Sequence, residues 1–211
     1  MYFLIKQTHI QNPVITIETN LMTTKQITPK NVWEEMFAIT NNNRIIYNYS
    51  CLMDMSDYVI VTDLFPKPVL EAYSNWNIGK SISQTQKSLF SNLRGGGQGD
   101  YRQDIISKIN NVINALNKFP STKRAVITIP NTSNPIHSND DDAKCMREIH
   151  FRILDNTIHA TVFFRAQAAI IFPKNIHFIG TLMEEVQNSL DSTFQIGNLY
   201  YLTSILVRDR Q

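Results

Sequence analysis

The chain has little cysteine, little glycine outside one cluster, almost no net charge and no long apolar run. Only two cysteines occur, Cys51 and Cys145, which excludes a disulfide framework and any paired-cysteine metal spacing. Four of the seven glycines are Gly95, Gly96, Gly97 and Gly99. That cluster lacks the Gly-Lys-Ser/Thr ending of a phosphate-binding loop, and no dinucleotide-binding spacing surrounds it. It reads as a loop. Lys and Arg total 20 against 18 Asp and Glu, a formal charge of +2. So small an excess, with no basic run, gives no footprint for nucleic acid or a membrane surface. No stretch approaches the ~18 apolar residues of a membrane span. Residues 1–6 have too short an apolar run and no basic leader for a signal peptide. The expectation is a cytoplasmic protein with neither nucleic acid nor membrane as partner.

What is present is an ordinary globular composition, 43% hydrophobic and 18% charged. The pattern predicts one α+β domain over residues 1–211. Residues 2–6 and 14–18 read as strands. Thr28 then caps a helix with Pro29 at its first position. On a helical wheel Val32, Trp33, Met36, Phe37 and Ile39 share one arc. Glu34 points away from it, while Glu35 borders it and is expected to sit half-buried. Residues 41–60 are polar and Asn-rich and give no clear element. A strand at 59–62 and a short helix at 69–76 follow. Ile105, Ile106, Ile109, Val112, Ile113 and Leu116 mark an amphipathic helix ended by Pro120. A strand at 125–129, a polar loop at 130–144, a hairpin, a helix over 173–190 and a strand near 196–207 complete the chain.

The hairpin carries the most information. Residues 146–154 and 158–164 are β-prone runs separated by Asp155-Asn156-Thr157, a turn signal. A three-residue turn pairs Leu154 with Ile158 and sets Arg165 opposite Arg147, on the face of Cys145. A two-residue turn slips the register by one and sends Arg165 to the other face. Either way Cys145 and Arg165, twenty positions apart, come close. A thiol beside a guanidinium is a plausible nucleophile, because positive charge stabilises thiolate. Cys51 has no such context and reads as a small buried hydrophobe. Asp140, Asp141 and Asp142 are consecutive and point apart, and His137 and His159 have no ligand partners at useful spacing, so no metal site is expected. His150 reads as an inward-facing structural histidine.

Phe164-Arg165-Ala166-Gln167, Phe172-Pro173-Lys174-Asn175-Ile176 and the helical pattern after them resemble thymidylate synthase and its relatives, the pyrimidine-nucleotide C5 methylases and hydroxymethylases. Four further stretches agree in order. They are Met22-Thr23-Thr24-Lys25, Val32-Trp33-Glu34-Glu35-Met36-Phe37, the Leu-Asn-Lys-Phe-Pro-Ser-Thr-Lys-Arg run at 116–124, and Ile196-Gly197-Asn198-Leu199. The resemblance implies a mixed β-sheet packed with helices and a homodimer formed through the sheet face. It implies that Cys145 is the nucleophile, that Arg165 anchors a phosphate, and that Glu35 orders water and moves protons. It further implies that Asn175 reads the pyrimidine, and that Lys123 and Arg124 reach the phosphate in the neighbouring subunit. The methylene donor it implies is 5,10-methylenetetrahydrofolate.

Departures point elsewhere. Ala166 and Ala168 replace a Ser and an Asp, Leu206 and Arg208 fall where the family holds the sugar hydroxyl, and Gln211 comes before the family's C-terminal tail. A second expectation is therefore a repurposed enzyme of specialised biosynthesis, acting through Cys145 on a non-nucleotide small molecule without folate. A third is a non-catalytic binding or regulatory remnant.

Overall fold

The computed structural model describes residues 27–94, 101–130, 144–190 and 193–209. The strands expected at 2–6 and 14–18, the leader at 22–25, the glycine cluster, and 131–143 with His137 and its three aspartates lie outside the described residues.

Local signals set the helices. In α1 (Pro29–Ile39) the Thr28 hydroxyl accepts the Asn31 N–H, and the Asn31 side chain accepts the Thr28 N–H, each at 3.3 Å. This is a reciprocal cap with Asn in place of the usual Glu or Gln. α2 (Lys67–Asn77) and the short α3 (Gln84–Lys87) follow. α4 (Ile105–Lys118) buries Ile105, Ile109, Val112 and Leu116 at helical spacing and ends as Phe119 turns extended ahead of Pro120. α5 (Phe172–Leu190) is enclosed on nearly every side over its first three turns, as expected of a helix at the centre of the core.

The strands are β1 (Ile46–Asp54), β2 (Val126–Thr128), β3 (Met146–Leu154), β4 (Thr157–Phe164), β5 (Gln167–Ala168) and β6 (Gln195–Val207). They form one sheet in the order β1-β6-β4-β3-β2, with β5 added to the end of β6. β4 runs parallel to β6 while β1–β6, β3–β4 and β2–β3 are antiparallel, so the sheet is mixed and the fold is α+β. Ile158, Ala160, Val162 and Phe164 alternate inward and join α1, α4 and α5 in one core. The opposite face carries Leu52, Tyr200, Thr161 and His150 in a single row across four strands. Leu52 stays 51% exposed and Tyr200 40%.

Two expectations change. β1 lies within 41–60, where polar content hid a strand whose inward residues are Tyr49, Cys51 and Met53 and whose outward ones are Asn48, Ser50 and Leu52. Residues 59–62 form no strand. Instead the Phe65 N–H donates to the Thr62 hydroxyl at 3.0 Å and the Thr62 N–H donates to the Phe65 carbonyl at 3.2 Å, a local turn that spends the bonds a ladder needs.

Candidate active site

The β3–β4 turn is the two-residue one. Asp155 and Asn156 both take positive φ, 49° and 59°, and Leu154 pairs with Thr157. That is the mirror-image turn whose twist suits a hairpin, and Asn is among the residues that tolerate it. Alone it would set Cys145 against Ala166. A bulge at Arg147, between Met146 and Glu148, adds a second one-residue offset. Cys145 therefore lies opposite Arg165, whose N–H donates to the Cys145 carbonyl at 2.8 Å. The two-residue register anticipated above holds from Glu148 to Leu154, and the bulge then restores the shared face that a two-residue turn alone would have spoiled.

Tyr101, Arg147 and Arg165 complete the cluster. The Tyr101 hydroxyl accepts the Met146 N–H at 3.3 Å, and its ring stacks on Phe178 with centroids 5.3 Å apart. Burial, then the Cys145 sulfur, hold this phenol above its ordinary range, against the pull of both guanidiniums. Arg147 is held below its ordinary range by partial burial and then by repulsion from Arg165. Its Nη1 donates to the Lys144 carbonyl at 3.3 Å. Arg147 and Arg165 thus concentrate positive charge beside the Cys145 residue.

Tyr201 connects this cluster to the other half of the sheet. Burial raises its phenol well above the ordinary range, and Cys51, Tyr101, Cys145 and Tyr49 act on it in that order. It stacks on Phe164 at 5.2 Å and donates to Gln167 Oε1 at 2.9 Å. Asn175 Nδ2 donates to the same oxygen at 3.0 Å. Asn175 is thus inside α5 with its side chain committed to β5, and it does not cap the helix.

Glu35 is exposed rather than half-buried, because α1 buries a narrow stripe of Val32 and Met36 and leaves its border open. The Glu35 carboxylate still acts on the Tyr49 phenol and on the Cys51 thiol. The Cys51 thiol, pushed up to about 12 chiefly by burial, stays protonated. His150 faces the open side of the sheet and meets Glu148 at 3.3 Å, so it does not point inward. Lys123 and Arg124 are exposed. The Phe151 N–H donates to the Ala125 carbonyl, which places this pair about 20 Å along β3 from Cys145. Leu206 is buried, and Arg208 donates to the Phe37 carbonyl at 3.0 Å with its guanidinium over the Phe37 ring.

The structure thus brings Cys145 to Arg165 and Asn175 to Tyr201, and sets Lys123 and Arg124 apart from both. Arg147, Tyr101 and Gln167 are the members that sequence reasoning missed. Arg147 had a signal, its place in the hairpin beside Cys145. Gln167 had a weaker one, an amide directly ahead of the apolar run from Ala168 to Phe172. Among the described residues no group of three or more His, Cys, Asp and Glu could hold a metal ion, and no helix is long and apolar enough to cross a membrane. No family model matches the chain, and no curated protein matches it.

Proposed function

We propose that the protein is a one-carbon transferase of the thymidylate synthase type, acting on a pyrimidine nucleotide through Cys145. The observation that carries this reading is the Cys145–Arg165 pair with Arg147 beside it, a thiol and two cations at the end of one hairpin. The Cys145 sulfur forms a bond to C6 of the ring, and the C5=C6 π pair moves onto C5 and the neighbouring carbonyl oxygen. C5 is then the nucleophile that takes up the one-carbon unit. Loss of the C5 proton with release of the donor's nitrogen would leave an exocyclic methylene. Addition of water (giving hydroxymethyl) or of hydride from the reduced donor (giving methyl) would then expel the Cys145 thiolate and restore the ring double bond. Protein side chains have no carbon to give, so this chemistry calls for an electrophilic donor, for which methylenetetrahydrofolate is suited. Arg165 and Arg147 hold the phosphate, Glu35 relays protons through ordered water and Asn175 faces the base.

The subunit arrangement belongs to the same reading. Lys123 and Arg124 lie too far along β3 to serve Cys145 of their own chain. The open sheet face with Leu52 and Tyr200 offers a surface on which two copies pack, giving a homodimer with shared anion sites.

A second reading has its own support. Leu206 is buried and offers nothing to a hydroxyl, while Arg208, with one N–H on the Phe37 carbonyl, offers only donors. This favours a repurposed enzyme using Cys145 on another electrophilic small molecule, without folate.

Intact-protein mass spectrometry after incubation with 5-fluoro-dUMP and methylenetetrahydrofolate separates the two. A covalent adduct mapped to Cys145 supports the first. No adduct, or one mapped elsewhere, removes it. Modification of Cys145 by a different electrophilic metabolite supports the second.

A further inference from the structure

Three buried side chains form a hydrogen-bond chain whose polarity can be read from one end. Gln167 is 1% exposed and Asn175 3%. Gln167 Nε2 donates to the Ala168 carbonyl at 2.6 Å. A backbone carbonyl only accepts, so the Gln167 amide has one orientation and its Oε1 faces the other way. That oxygen receives both Asn175 Nδ2 at 3.0 Å and the Tyr201 hydroxyl at 2.9 Å. Each partner must therefore donate. The Asn175 amide is fixed in turn, with one N–H spent on Gln167. Its Oδ1 lies on the other side of the amide from that bond.

The geometry points to Gln167 as a positioning residue that sets base specificity, by locking the Asn175 amide in one of its two orientations. This deepens the proposed reading, in which Asn175 faces the pyrimidine, and rests on it. The 3,4-edge of a pyrimidine presents N–H then oxygen in the 4-oxo ring, and nitrogen lone pair then N–H in the 4-amino ring. A free amide could flip to match either. A locked amide matches one and leaves its own carbonyl facing a lone pair in the other, the kind of mismatch that discriminates strongly. Tyr201, which must donate to Gln167, can only accept on its remaining side.

The test is calorimetric titration of the full chain with dUMP and with dCMP. The wild type is expected to prefer one of them by more than about 30-fold. Gln167→Met, which is close in shape but bonds neither Asn175 nor Tyr201, is expected to bring the two affinities within about threefold. Gln167→Glu, buried and therefore protonated, can donate to the Ala168 carbonyl and accept from Asn175. It is expected to restore the preference, which a merely structural role for Gln167 would not require. Should the Met variant lack a cooperative melt, the Glu variant decides: a lost preference there overturns the lock. An unchanged preference in a folded Met variant, or equal binding of both nucleotides to wild type, overturns the lock while leaving the site. Binding of neither nucleotide to wild type overturns the underlying reading and the lock with it.

Discussion

Cys145 and Arg165 are joined through the backbone, the Arg165 N–H donating to the Cys145 carbonyl at 2.8 Å. The bond ties the thiol-bearing residue to the guanidinium-bearing one without using either side chain. The backbone spacing of the two residues is therefore set by the sheet.

Replacement of Cys145 by Ser is nearly isosteric and should leave the melting temperature close to wild type. Turnover with the proposed substrates should fall by well over tenfold, more than about 1.4 kcal/mol of barrier, because the alcohol lacks thiolate nucleophilicity. Steady-state rates and a thermal melt on the same sample check both halves. A Ser variant that keeps a tenth of wild-type turnover would show that the nucleophile lies elsewhere.

Arg165→Ala and Arg124→Ala should each be inactive alone and regain activity when mixed. In randomly exchanged dimers half are hybrids, each with one site built from both intact residues, so recovery should approach roughly a quarter of wild type. Light scattering must show a dimer under the same conditions. A monomeric mass, or no recovery after exchange, would remove the shared-site arrangement.

Gly180 has no room for a side chain: a Cβ there would run into the Tyr58 ring. Gly180→Ala should destabilise the fold by about 1–3 kcal/mol through overpacking, measured by urea denaturation. Adding Tyr58→Ala should make the second change cost less than it does in wild type, a coupling that a double-mutant cycle detects. Additive costs would place the strain somewhere other than against Tyr58.

His177 sits beneath Tyr58, its Nδ1 2.7 Å from the Ser74 hydroxyl. Burial, and then Lys67, hold it near about 4 against an ordinary 6.5. The folded form resists protonation while the unfolded chain accepts it. The stability that neutral His177 provides is therefore complete above about pH 6.5 and is lost as pH falls toward 4, by roughly 2–3 kcal/mol. Urea denaturation at pH 7 and pH 4.5 should show a loss in wild type that is smaller by about that amount in His177→Gln. Equal acid losses in the two proteins would mean that His177 titrates normally.

The parts of this fold that sequence made legible are those with a strong local rule. Ile105, Ile109, Val112 and Leu116 announce α4 by period alone, and Thr28 with Pro29 announces where α1 begins. β1 was hidden because Asn48, Ser50 and Asp54 dilute its alternation, and because it pairs with β6 some 150 residues away by contacts that leave no local mark. The hairpin was legible as a hairpin but not in its register. Two competing turn lengths fit the residues, and a bulge at Arg147 has no signature, since Arg is as acceptable in a regular strand. Glu35 failed for a different reason. A wheel gives direction, while exposure depends on what covers the helix flank. Gln167 and Tyr201 come together across the sheet, so their bond could be found only once β5 was seen beside the end of β6.

The hairpin also bears on when the site is made. Cys145 and Arg165 are the two ends of one local unit closed by a two-residue turn, and such units form in about 1–10 μs. Asn175, Gln167 and Tyr201 meet only after α5, β5 and β6 have docked, which demands closure of longer loops. The Cys145–Arg165 pair and the Asn175–Gln167–Tyr201 set thus belong to different stages of folding. A lesion in the docking of α5 would leave a chain that has Cys145 opposite Arg165 yet lacks the buried amide pair that α5 and β5 build together.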